Sequence, residues 1–169
     1  MIVMKFGGTS VANAEAIKRT IEIIRSRLDK KPIVVVSALS KVTDALYKIS
    51  DSAKYGEQTM AIEIIDKLRV RHAELVDELL GGCACKDEAL KALNIEFDEL
   101  QKLVEAVIVL GELTPRIKAR IISKGELLSS IVIGHALTKS GIATCRLDAR
   151  RFIVTNDEYL RRMLYLASR

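Results

Sequence analysis

The first 38 residues hold an apolar run, an amphipathic stretch and a second apolar run in direct succession, and that order restricts the fold more than any other feature. Ile2-Val3-Met4-Lys5-Phe6 reads as a short buried strand closed by Gly7-Gly8. Thr9 and Ser10 offer capping hydroxyls to a helix in which Ala14, Ile17, Ile21, Ile24 and Leu28 recur at steps of three and four. Asp29-Lys30-Lys31-Pro32 stops that helix. Ile33-Val34-Val35-Val36, continuously β-branched, has the character of a strand buried on both faces. Strand, helix and strand at this spacing form a parallel, right-handed unit whose ligands gather at the carboxyl ends of the strands.

Residues 44–124 then carry helical patterns almost throughout. Met60, Ile64 and Leu68 with Val76, Leu79 and Leu80 mark one stripe, broken by Gly81-Gly82. Phe97, Leu100, Leu103, Val107 and Leu110 mark another. Thr114-Pro115 supplies a cap and a first-turn proline. Ser123-Lys124-Gly125-Glu126 interrupts, and Leu127, Leu128, Ile131 and Val132 lead a further helix to Ser140-Gly141. Ile142 to Leu147 reads as a third strand and Phe152-Ile153-Val154 as a short fourth. Thr155-Asn156-Asp157-Glu158 has capping-box form, with Tyr159, Met163 and Leu166 placed to follow helically. Three or four strands make a thin sheet beside so many helices, so the expectation is part of a larger α/β domain.

Composition narrows the function. With 169 residues, 49% hydrophobic and 29% charged, the chain can bury a core and is not a disordered linker. It lacks the roughly 18 uninterrupted apolar residues of a membrane span, and its short apolar start is no secretory leader. The net charge of +5 is spread among interleaved acids, as in Lys18-Arg19-Thr20-Ile21-Glu22, and aromatics reach only 4%, which argues against a nucleic-acid surface. Cys83-x-Cys85 makes neither a disulfide framework nor a C-x-x-C zinc knuckle, so a reduced, cytoplasmic setting is expected. His72 reads as a surface residue on a charged helix, and His135 as a packing residue.

Lys5 is the most informative position. An unpaired ammonium inside an apolar strand needs an anion or a route to water. Gly7-Gly8 sets bare amides beside it at the start of a helix, an arrangement suited to phosphate. It is neither the G-x-x-x-x-G-K-[ST] nor the G-x-G-x-x-G pattern. A tight turn with Lys5 at a sheet edge is the alternative.

Lys5-Phe6-Gly7-Gly8-Thr9-Ser10-Val11 resembles the N-terminal signature of aspartate kinases in the amino acid kinase family. In chain order, Val35-Val36-Ser37-Ala38, Gly111-Glu112-Leu113-Thr114-Pro115-Arg116, Ser123-Lys124-Gly125-Glu126-Leu127-Leu128-Ser129 and Leu147-Asp148-Ala149-Arg150 with Ile153-Val154-Thr155-Asn156-Asp157 resemble later segments of that family. The resemblance implies a three-layer parallel-sheet amino acid kinase (carbamate kinase-like) fold, here truncated. It also implies phosphoryl transfer from Mg-ATP to the side-chain carboxylate of L-aspartate. Because that carboxylate is already ionised, the chemistry needs alignment and charge neutralisation rather than a general base.

By the same resemblance Lys5 would stabilise the transferring group, and Gly7, Gly8 and Ser37 would line the nucleotide side. Thr43 and Glu126 would hold aspartate. Two alternatives stay open: Thr43-Asp44 opens a helix, so Thr43 is also a candidate cap, and Ser123-x-x-Glu126 is a candidate capping box. Asp148 and Arg150 suit a structural pair as well as a substrate contact. The family's G-R-G-G-S-D segment, the source of an arginine for the substrate carboxylate, does not occur in these residues, nor do regulatory ACT domains. The expectation is therefore the N-terminal portion of a catalytic domain, with little activity alone and a homo-oligomeric longer protein. A non-catalytic oligomerising piece, or a kinase for another acid, are the other readings.

Overall fold

A computed structural model describes residues 1–151, 153–155 and 164–165. Strands β1 (Ile2–Phe6) and β2 (Pro32–Val36) pair in parallel, with Val3 opposite Ile33 and Lys5 opposite Val35. Helix α1 (Ala14–Arg25) joins them, as the opening pattern requires. Its cap differs from expectation. Thr9 and Ser10 fall inside a 3-10 turn, Gly8–Val11, and the Oδ1 of Asn13 instead accepts the Ala16 amide at 2.9 Å. The Thr20 hydroxyl donates to the Ser10 carbonyl at 2.9 Å and ties the turn to the helix. Leu28 sits past the helix end and is exposed, while Lys31 adopts a left-handed φ of 47° to swing into β2.

The helices that follow are α2 (Val42–Lys54), α3 (Gln58–Leu80), α4 (Cys85–Leu110), α5 (Pro115–Ile122) and α6 (Lys124–Lys139). Thr114 caps α5 by accepting the Ile117 amide at 3.2 Å, with Pro115 at the first helical position. The first half of the α3 stripe is one position out of phase with the sequence reading, while Leu68, Val76, Leu79 and Leu80 are buried as expected. Ala61, Ile65, Leu68, His72, Leu75, Val76 and Leu79 face inward, and Met60 is exposed. At the end of α4, Leu110 is likewise exposed, because Gly111 turns the chain at a φ of 68°. Ile17, Leu46, Ile49, Ile65, Phe97, Leu100 and Leu128 join one core across all these helices. Each such side chain contributes about 1.5–3 kcal/mol on burial.

The two faces of the sheet differ. Met4, Phe6, Val34 and Val36 pack onto the helical core. On the other face Val3 is 67% exposed, Ile33 46% and Val35 44%, so β2 is buried on one side only, contrary to the expectation from its apolar run. Among the described residues nothing covers that second face. The expected third strand is also absent. Ile142 is buried, but residues 142–148 form no ladder with β2, and a cleft of about 500 Å³ lined by Val34, Val36, Ile133, Leu137 and Ile142 to Leu147 runs between them. Val154–Thr155 (β3) pairs antiparallel with Leu164–Tyr165 (β4), so the last two residues are extended where a helix was expected. The rest of the expected capping box, with Phe152, Tyr159, Met163 and Leu166, lies outside the described residues.

The turn between α3 and α4 carries a second difference. Cys83 and Cys85, expected to be separate thiols, are joined in a disulfide with their Cα atoms 5.2 Å apart, because Cys85 starts the first turn of α4 and curls back over the loop. Cys145 is free and exposed. No helix among the described residues is long and apolar enough to cross a membrane.

Candidate active site

The carboxyl ends of β1 and β2 open at the same end of the sheet. The Phe6 carbonyl accepts the Ser37 amide at 3.0 Å, which carries the parallel pairing one step past the strands. Beyond it the Gly7-Gly8 turn and the Ser37–Ser40 loop press together. A Cβ on Gly8 would lie 3.0 Å from the Ala38 carbonyl oxygen and 3.6 Å from the Ser40 nitrogen, so any side chain there would push these backbones apart by a few tenths of an ångström. The Gly7 and Gly8 amides donate to no protein acceptor among the described residues. They are half-buried donors of the kind that bind anions.

Lys5 is not the buried ammonium of the sequence reading. Strand alternation sets it beside Val3 on the open face, where it is exposed. Its ammonium nevertheless folds back along the turn, with Nζ 3.9 Å from the position a Cβ on Gly7 would occupy. It enters no ion pair among the described residues. A free cation and free amides therefore share one turn. Lys5 thus lies on the open face of the sheet, beside the diglycine turn.

Thr43 and Glu126, the residues expected to hold the acceptor, lie on α2 and α6. Gly125 is buried in the first turn of α6, and a Cβ there would come within 2.8 Å of the Ala38 Cβ, 3.2 Å of Leu46 Cδ1 and 3.6 Å of Val42 Cγ1. That contact sets Glu126 next to the loop after β2 and next to the start of α2. Both alternatives for the polar residues fall away. Lys41, at a left-handed φ of 65°, occupies the cap position of α2, and Thr43 lies inside the helix without capping it. The Ser123 hydroxyl donates to the Arg120 carbonyl at 2.9 Å, and no side chain caps α6, so Glu126 is not half of a capping box. The exposed Glu126 carboxylate and the half-buried Thr43 hydroxyl remain available.

Three supporting residues were not legible from sequence. Arg71 on α3 donates to the Ser40 carbonyl at 2.9 Å and the Ala12 carbonyl at 3.4 Å, fastening both strand-end loops to one helix. Lys124, between Ser123 and Gly125, is fully buried and donates to Glu96 at 2.5 Å and Glu99 at 2.7 Å, which clamps the start of α6 to α4. The hydrogen bond and charge of Lys124 hold the Glu99 carboxyl below its usual range. His72 is fully buried, not a surface residue. Its Nδ1 lies 2.7 Å from the Leu68 carbonyl, its ring meets Phe97 edge-on, and burial lowers its pKa to about 4. Asp148 forms an ion pair with Arg150 at 2.7 Å, and the hydrogen bond from Arg150 lowers its pKa. That favours the structural reading of both. Among the described residues no group of three or more His, Cys, Asp or Glu converges as a metal cage.

Comparisons with known proteins show the family. Residues 1–167 match the amino acid kinase family, and the chain belongs to it. Within that family its similarity is to aspartate kinases. It is 29% identical to lysine-sensitive aspartokinase 3 of Escherichia coli (strain K12) over 165 residues, covering 94% of this chain and 33% of that protein. It is 30% identical to the chloroplastic bifunctional aspartokinase/homoserine dehydrogenase 1 of Zea mays over 156 residues, covering 91% of this chain and 16% of the relative. The crystal structure of E. coli aspartokinase III in complex with lysine and aspartate superposes with a TM-score of 0.83 at 25% identity, over 98% of this chain and 35% of that one. The same fold is matched in E. coli aspartokinase III in complex with aspartate and ADP, with a TM-score of 0.80. The chain spans about a third or less of the length of these relatives.

Proposed function

We propose that this chain forms the phosphate-gripping and acceptor-holding side of an aspartate kinase site, which transfers a phosphoryl group from ATP to the side-chain carboxylate of L-aspartate. The observation that carries the reading is the backbone-to-backbone seat of Gly8 on Ala38, with the Lys5 ammonium folded over Gly7. Two free amides and one cation at a strand end suit a polyphosphate, and they neutralise charge as it moves. The acceptor carboxylate is ionised at neutral pH, so the absence of a histidine near this end costs nothing. Thr43 donates a hydrogen bond to the amino acid and Glu126 accepts from its ammonium, each from a helix start pinned by Gly125. Ser37, whose amide bonds the Phe6 carbonyl at the same strand end, lines the nucleotide side with Gly7 and Gly8. Mg²⁺ accompanies the nucleotide through its phosphates rather than through a protein cage.

The relatives named above are aspartokinases, and one neighbour binds aspartate with ADP. The reading extends that chemistry to this chain, as part of a homo-oligomeric cytoplasmic enzyme of amino-acid biosynthesis. The 169 residues contain no G-R-G-G-S-D segment to grip the substrate carboxylate with an arginine fork, so turnover by the chain alone is expected to be slight. Equilibrium dialysis with labelled ATP tests the reading directly. Saturable binding that Gly8→Val abolishes is expected; equal binding by Gly8→Val overturns it. Hydroxylamine trapping tests the second point, since abundant aspartyl hydroxamate from this chain alone would refute it. The open sheet face favours the second reading, a subunit-contact role, for which concentration-dependent sedimentation is the measurement.

A further inference from the structure

Outside the strand-end site, the α3–α4 turn is where two cysteine side chains of the described residues meet. Cys83 and Cys85 are bonded there, both half-buried and two positions apart, with Cys85 opening a 26-residue helix and Cys83 in the turn before it. The Cys85 amide points at the Cys83 sulfur, with N and Sγ 3.2 Å apart. A helix-start amide donating to sulfur favours the thiolate form. Cys85, at the first helical position, is carried by the helix rather than by the loop. The turn is also wired to its surroundings. Lys139 of α6 donates to the Leu79 and Gly81 carbonyls at 2.9 and 3.1 Å, and Lys86 pairs with Asp77 at 3.0 Å. The two sulfurs thus sit on an otherwise fixed frame.

We propose that Cys83 and Cys85 form a thiol–disulfide exchange site whose substrates are small disulfides and dithiols, with Cys83 as the attacking sulfur and Cys85 as the resolving one. This inference does not rest on the kinase reading. In the oxidising direction the Cys83 thiolate attacks one sulfur of a low-molecular-weight disulfide, whose S–S bond breaks. One small thiolate leaves and takes a proton from water, giving a mixed disulfide on Cys83. The Cys85 thiol gives up its proton, and its sulfur attacks the Cys83 sulfur, closing the internal bond and expelling the second small thiol. Two protein thiols are oxidised, and one small disulfide is reduced to two thiols. Cys145, exposed and with no partner sulfur among the described residues, stops at the mixed disulfide.

The test uses the whole chain, reduced with dithiothreitol, freed of reductant, and exposed to excess oxidised glutathione. Acid quenching, alkylation and peptide mass spectrometry follow. The expected result is a Cys83–Cys85 peptide two hydrogens lighter and not alkylated, formed at least tenfold faster than glutathione adds to Cys145. Cys85→Ser should trap glutathione on Cys83, and Cys83→Ser should react at Cys85 at least tenfold more slowly. Both cysteines alkylated while Cys145 carries glutathione would overturn the site. Equal trapping rates in the two serine variants would overturn the assignment of roles. Amide hydrogen exchange over residues 83–89 of the wild-type chain gives a readout free of substitutions. It should slow at least tenfold on oxidation, and an unchanged rate counts against the proposal.

Discussion

At the scale of single residues, Lys5 and His72 exchange the environments their neighbours suggest. Lys5 lies in an apolar strand but points outward, so its removal should cost little in folding, within about 0.5 kcal/mol. Its expected effect is on ligand affinity: Lys5→Ala should weaken ATP binding at least about tenfold, roughly 1.4 kcal/mol, with thermal melting unchanged. Dialysis and calorimetry on the same samples separate the two quantities, and undiminished affinity removes Lys5 from its role. His72 lies among charged neighbours but points inward. Its pKa falls from the ordinary 6.5 to about 4, so the native state holds it neutral. Stability from that group is complete above about pH 6.5 and is lost as the pH falls toward 4, at up to about 1.4 kcal/mol per pH unit. Urea melts at pH 7, 5.5 and 4.5 should show this slope in the wild type and a flatter one in His72→Leu. Parallel losses in the two proteins would place the acid sensitivity elsewhere.

At the scale of elements, the start of α6 concentrates the constraints. Gly125 touches Ala38 and α2 so closely that a methyl group has no room, and Gly125→Ala should destabilise by about 1–3 kcal/mol through overpacking. For a chain of this size that corresponds to a fall in Tm of about 2–12 °C, measurable by calorimetry. Lys124, one residue earlier, holds two carboxylates of α4 together. Replacing it by Met leaves Glu96 and Glu99 without the ammonium that bonds both, at an expected cost of about 2–4 kcal/mol, since Glu99 is half exposed and its share is screened. Adding Glu96→Gln and Glu99→Gln to Lys124→Met should recover most of the loss. Failure to recover would show that the methylene stem, not the charge, carries the clamp. The pair also sets an acid limit. Because Lys124 lowers the Glu99 pKa, its contribution is present above the ordinary glutamate range and fades as the pH drops through and below it.

At the scale of the whole molecule, the sheet is bare on one side, with Val3, Ile33 and Val35 open to solvent. Val35→Glu should lower any self-association seen in sedimentation without disturbing the helical core, and unchanged association would locate the contact on another surface. The βαβ opening and the strand-end placement of Lys5, Gly7, Gly8 and Ser37 were legible from residues 1–38, and the helix-rich middle from residues 44–124, because periodicity and glycine punctuation are local signals. The sidedness of β2 was not, since a β-branched run reads the same whether one face or two are covered. His72 was misread because it shares a helix with Arg71 and Glu74, and only the phase set by Ile65 and Leu68 brings it inside. Arg71 and Lys124 were invisible for a related reason: their partners lie 31 and 28 residues away in the chain. The Gly8 seat has one more effect. With main chain resting on main chain there, drift could retune the proposed grip on the donor only through side chains beside the seat, such as Lys5. A lineage changing its choice of acid would have to do so from the helical rim, at positions such as 43 and 126, while the floor of the pocket stays as it is.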